Sequence, residues 1–145
     1  MLTERLRSER GFTLFEILIV MLIIGILAAI ALPMLDNQRK KSQDSEAKFN
    51  AGSMMAHVES CFVETEDYGE CETGDPKMGE THMPIGSGPG ETRVSSDGPR
   101  DYLIESMSRS GNVFRLVKIV GNRPIRSCTI TAGGHSGGCS SDFSW

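Results

Sequence analysis

One apolar run constrains this chain more than any other feature. From Phe12 to Leu35, twenty-four residues carry a single charged side chain, Glu16. At helical rise such a run covers about 36 Å, enough to cross a hydrocarbon layer about 30 Å thick. Lipid offers no partner for a bare peptide group, so the run is expected to be a helix. Gly25 and Pro33 weaken it locally, and Pro33 is expected to kink it or loosen the preceding turn. Glu16 is the anomaly, because a charge at the midplane of a spanning segment costs about 2.5–3.5 kcal/mol. Its place near the start of the run lowers that cost without explaining the residue.

The helical pattern continues past Pro33. Between Asp36 and Glu66, Ala47, Ala51, Met54, Val58, Cys61 and Phe62 recur at spacings of three or four, with polar and charged residues between them. That stripe predicts an amphipathic helix continuous with the apolar one. From Phe12 to about Glu64 the two would span about 80 Å. Residues 67–100 are rich in glycine and proline and read as a connecting loop. Three alternating runs follow, Asp101–Ser108, Val113–Val120 and Ile125–Thr131, separated by turn residues. They read as an antiparallel meander, and its apolar face needs the helix stripe as a cover. Residues 132–145 form a Gly/Ser-rich tail around Cys139 with an aromatic end. The expected fold class is therefore α+β, a long N-terminal helix packed on a small antiparallel sheet of three to four strands.

Four cysteines, Cys61, Cys71, Cys128 and Cys139, all lie beyond the apolar run. An even count on that side of a membrane-targeting segment points to two disulfides and an oxidising compartment, and the spacing is not that of a zinc site. Three connectivities are open. The local pairs Cys61–Cys71 and Cys128–Cys139 are favoured because each staples a loop of small, acidic or glycine residues, contributing about 2–3 kcal/mol.

Charge is unevenly distributed around a net −4. Glu59 to Glu80 is acidic, with Lys77 as its lone cation, and reads as a solvated loop without calcium-loop spacing. Arg100, Arg109, Arg115, Lys118, Arg123 and Arg126 make the sheet basic. The two surfaces suit packing between copies; DNA contact is the weaker reading, since few aromatics interleave the cations. His57, His82 and His135 lack ligand spacing, and no nucleophile elbow accompanies the serines near His135 and Asp142. No metal, cofactor or catalytic residue is expected. The Met54-Met55 pair reads as core filling.

Three readings compete for the opening run. A cleaved secretory signal ending at Ala29-Ile30-Ala31 is disfavoured by the length of the run and by Glu16. An uncleaved anchor for a disulfide-bonded binding domain fits the length but gives Glu16 no role. The third rests on the string Gly11-Phe12-Thr13-Leu14-Phe15-Glu16, which closely resembles the processing site of type IV pilins and related pseudopilins. The match extends from Arg10 to about Leu35, and Gly25 and Pro33 fall on the family's helix-loosening positions. A second proline often found in that family about twenty residues further on is replaced here by Gly52-Ser53.

The resemblance implies a leader, residues 1–11, removed by a prepilin peptidase between Gly11 and Phe12, with N-methylation of the new Phe12 terminus. It implies a transmembrane and assembly helix over 12–35, its amphipathic continuation over 36–66, the loop over 67–100, the sheet over 101–131 and a cysteine loop over 132–145. Glu16 becomes an assembly and registry charge that faces the Phe12 amine of a neighbouring copy. The implied partners are other copies in a helical filament, the peptidase/methylase, the pilus assembly machinery and, before assembly, membrane lipid. The positive-inside rule nearly ties, with Arg5, Arg7 and Arg10 ahead of the run and Arg39, Lys40 and Lys41 behind it. The resemblance places the leader in the cytoplasm and the cysteines outside, with an extracellular fibre after assembly. A minor pilin or type II secretion pseudopilin is the alternative within the same superfamily.

Overall fold

The computed structural model describes residues 11–78, 80–131 and 138–145. The leader up to Arg10 and His135 lie outside the described residues. Helix α1 runs from Leu14 to Thr65, and its assignment is unbroken through Gly25, Pro33 and Gly52. Proline removes one ladder donor, while the bonds on either side of the gap still propagate the helix. The chain divides into two compact units, the first reaching Asp36 and the second running from Asn37 to Trp145.

In the first unit the described residues are the apolar part of α1 and the three residues before it. Nearly every side chain there is exposed, including Leu14, Ile17, Leu22 and Leu27. This is the one helix among the described residues long and apolar enough to cross a membrane.

In the second unit, α1 lies on a four-stranded antiparallel sheet of order β1-β2-β3-β4, formed by Thr92–Ser95, Asp101–Met107, Val113–Ile119 and Ile125–Thr129. Strand alternation sorts the side chains by face. Tyr102, Ile104 and Ser106 of β2 and Phe114 and Leu116 of β3 point inward, with Ile104 opposite Leu116 and Val94 opposite Ile104. Against that row α1 sets Ala47, Ala51, Met54, Val58 and Cys61, all buried, as the stripe predicts. Phe62 is half-buried at the margin, stacked on Tyr68 with ring centroids 4.1 Å apart.

Two features depart from the sequence expectation. The segment 67–100 is not all loop. It holds β1 and two 3₁₀ turns, Tyr68–Glu70 and Pro76–Met78. β1 is only four residues long and takes its strand form from pairing Thr92 with Ser106 and Val94 with Ile104. Second, α1 buries a carboxylate. Asp44 is fully enclosed on the sheet face of the helix, where it accepts hydrogen bonds from Ser110 Oγ and from Asn112 Nδ2, the latter at 2.9 Å. Both donors sit in the β2–β3 turn. Gly111 adopts φ +98° there, a conformation that side chains rarely take.

A second polar hub ties α1 to the sheet further along. Glu59 accepts hydrogen bonds from Tyr102 Oη at 2.8 Å, from Tyr68 Oη at 3.2 Å and from Lys118 Nζ. Burial and the bond to Glu59 push the Tyr102 hydroxyl far above its ordinary pKa, so it remains a donor. Disulfides join Cys61 to Cys71 and Cys128 to Cys139, each with Cα atoms 5.9 Å apart. The tail returns beneath the sheet margin and is anchored by Trp145. Its Nε1 donates to the Ser127 carbonyl at 2.9 Å, and its ring meets Phe114 edge-on at 5.9 Å. Gly138 packs closely on α1 in this return, and a Cβ there would stand 3.0 Å from Asp44 Cβ.

Candidate processing and assembly site

The site begins at the mouth of α1. Gly11, Phe12 and Thr13 precede the helix, and the Phe12 side chain is 85% exposed. A helix starts with amide donors that have no intrahelical partner, and here Thr13 and Glu16 supply partners reciprocally. Glu16 Oε2 accepts from the Thr13 amide at 2.8 Å and from the Thr13 hydroxyl at 2.8 Å. The Glu16 amide in turn donates to Thr13 Oγ1 at 3.2 Å. Thr13 is therefore the N-cap and Glu16 the third helical residue of a capping box. The negative charge also stands at the positive end of the helix dipole.

This gives Glu16 a role inside one chain, independent of any partner. It also brings in Thr13, a motif residue with no role expected from the sequence. The signal was present: T-x-x-E ahead of an apolar run is the sequence form of a capping box. All the cap bonds to the carboxylate fall on Oε2, so the cap makes no use of Oε1.

The structure gathers Gly11, Phe12 and Glu16 at the first turn of α1, whereas Gly25 and Pro33 lie further along it. The four cysteines belong to the second unit. Among the described residues no group of three His, Cys, Asp or Glu gathers to hold a metal. His57 and His82 line a shallow groove with Phe49, Asn50 and Met83, and Asp142 caps the terminal turn by accepting from the Ser144 amide and hydroxyl.

Residues 6–32 match the family model described as the prokaryotic N-terminal methylation motif. The chain is 44% identical over 66 residues to the type IV major fimbrial protein FimA of Dichelobacter nodosus, a stretch covering 46% of this chain and 42% of FimA. It is 45% identical over 62 residues to the type IV major pilin protein PilA of Myxococcus xanthus, covering 43% and 28% of the two chains. A longer match, 29% identical over 111 residues, joins it to a fimbrial protein of Pseudomonas aeruginosa and covers 73% of this chain and 71% of that one. The chain thus spans about two fifths of the length of the FimA proteins that it matches. No solved structure matches it.

An apolar helix with a capped glutamate in its first turn, a methylation motif over that turn and a small disulfide-bonded α+β unit define the class of pilin-like subunits. Within that class the chain is most similar in its N-terminal half to proteins described as type IV major pilins and fimbrial proteins.

Proposed function

We propose that the chain is the structural subunit of a type IV pilus. It is cut between Gly11 and Phe12 by a prepilin peptidase, N-methylated at Phe12, held in the cytoplasmic membrane by its apolar helix and then polymerised through that helix. The observation that carries this reading is the coincidence of three features within six residues. A glycine, an exposed phenylalanine and a carboxylate fixed by Thr13 stand together at the mouth of an apolar helix.

The chemistry follows from burial. In a fibre the apolar helices bundle away from water, and a carboxylate among them needs a cation. Cleavage creates one, the Phe12 amine, and the Glu16 oxygen left free by the cap is available to the amine of a neighbouring copy. Misregistered copies would leave both charges unpaired, so the pair selects register more than it adds cohesion. Gly25 and Pro33 are the positions at which α1 can loosen as the copies pack.

N-terminal mass analysis of material sheared from the cell surface tests the proposal. Methylated Phe12 in fibres supports it, and an uncut Met1 confined to membranes would sink it.

A further inference from the structure

The face of the sheet turned away from α1 is not uniformly polar. Alternation and register set its outward side chains in rows across the strands. Asp101 stands beside Ile119, the next row is Ser95, Leu103, Val117 and Ile125, and the row after that is Arg93, Glu105, Arg115 and Ser127. Leu103 and Val117 are half-buried, whereas Ile119 and Ile125 are 49% and 67% exposed. Four apolar side chains at neighbouring positions make one contiguous patch, which marks a binding surface where scattered single residues would not.

The patch holds a depression of about 230 Å³, lined on its apolar side by Leu103, Val117 and Ile119 and on its polar side by Ser95, Ser96, Asp97 and Asp101. Pockets for whole small molecules begin at about 300 Å³, so this one suits a single long side chain. Its polar side is held by the chain itself. The Ser96 amide donates to Glu72 at 2.7 Å and the Gly98 amide to Ser96 Oγ at 3.1 Å. The Val120 amide donates to the Arg100 carbonyl at 2.7 Å, and the Asp97 amide to Asp101 Oδ1 at 3.2 Å.

Neither Asp97 nor Asp101 has a cation partner among the described residues, and no lysine or arginine lines the depression. Arg93 and Arg115, in the adjacent row, are both held by Glu105. The carboxylates therefore ask for a cation and the apolar side asks for methylenes. An arginine side chain supplies both, because its stem lies along apolar surface while its planar guanidinium offers five donors. The ammonium of lysine is a compact, strongly hydrated charge that gains less beside an apolar wall. Ile125 extends the patch beyond the depression and suits an apolar residue next to that arginine.

We infer that this outer face binds an arginine-bearing peptide segment of another protein. The guanidinium sits against Asp97 and Asp101, its stem lies on Leu103, Val117 and Ile119, and the neighbouring apolar residue covers Ile125. The site depends on neither cleavage nor polymerisation, so its failure and the failure of the filament reading are separate results.

The test uses the full chain in uncharged detergent micelles and two dye-labelled peptides, acetyl-Gly-Leu-Arg-Leu-Gly-amide and the same peptide with citrulline, which keeps the shape of arginine without its charge. Fluorescence anisotropy should show the arginine peptide bound at least about tenfold more tightly, a preference that added salt reduces. Asp97→Asn combined with Asp101→Asn should abolish the preference and leave the turn intact, since the amide oxygen at 101 can still accept from the backbone at 97. Independently, Ile119→Ser should weaken both peptides, and the methyl resonances of Leu103, Val117 and Ile119 should shift on titration. Equal affinity for the two peptides, a preference that survives the double variant, or shifts confined to the acidic 64–80 segment would overturn the site. So would self-association of the micellar chain that the double variant abolishes, since a second copy would then be the occupant.

Discussion

Thr13 and Glu16 bind each other in both directions, with the Thr13 amide and hydroxyl on one carboxylate oxygen and the Glu16 amide on the Thr13 hydroxyl. The residue that looks misplaced in an apolar segment is thus held by its own chain before any neighbour arrives. Thr13→Val keeps the branched shape and removes the hydroxyl, which should weaken the first turn by about 1 kcal/mol. Hydrogen exchange at the Glu16 amide in micelles should speed up accordingly. Unchanged protection would show that the cap contributes nothing to the helix start.

On the proposed reading, Glu16→Val should insert into the membrane normally and assemble poorly, because it removes the carboxylate proposed to answer the Phe12 amine. Sheared fibre yield measured against membrane-stored subunit separates the two steps. A normal fibre yield would defeat the registry role.

Gly11→Ser places a side chain at the proposed cleavage position. The expected product is a longer precursor retaining Met1, visible by gel and by intact mass. A mature mass indistinguishable from the unmodified chain would sink the processing site.

The head should lose stability in acid. Burial pushes the Glu59 carboxyl upward, but the bonds from Lys118 and Tyr102, the Lys118 charge and the bond from Tyr68 outweigh it and hold its pKa below the ordinary glutamate value of 4.5. Glu105 follows the same pattern between Arg115 and Arg93. A carboxylate with a depressed folded pKa contributes stability above its unfolded pKa, and that contribution disappears as pH falls through the folded value. Thermal unfolding should therefore move to lower temperature below about pH 4.5, and Glu59→Gln should shrink the acid-induced shift. An acid shift of the same size in the Gln variant would remove Glu59 from the account.

Each disulfide closes a short loop, with sequence separations of 10 and 11. Replacing both cysteines of either pair by serine should cost about 2–3 kcal/mol in denaturant unfolding. The Cys128–Cys139 pair should show the secondary effect of releasing Trp145 from the sheet margin, read as a red shift of its fluorescence. No shift would mean that the Trp145 hydrogen bonds hold the tail by themselves.

Local patterns carried much of this protein in legible form. Periodicity alone determined the helix and its buried stripe, because burial on a helix recurs every three to four residues whatever the partner is. Alternation determined β2, β3 and most of β4, and the string from Gly11 to Glu16 marked the candidate processing site. What the tertiary structure decided depends on residues far apart in the chain. β1 carries too little pattern in four residues and exists because β2 lies beside it. Asp44 reads as a solvent-facing charge until the β2–β3 turn, 66 residues away, delivers Ser110 and Asn112 to satisfy it. Asp101 and Ile119 are both visible in the sequence, yet only the strand register sets them side by side on one face of the sheet. Sequence spacing encodes which way a side chain faces within its own element, whereas the partner of a buried charge is set by which elements the fold brings together.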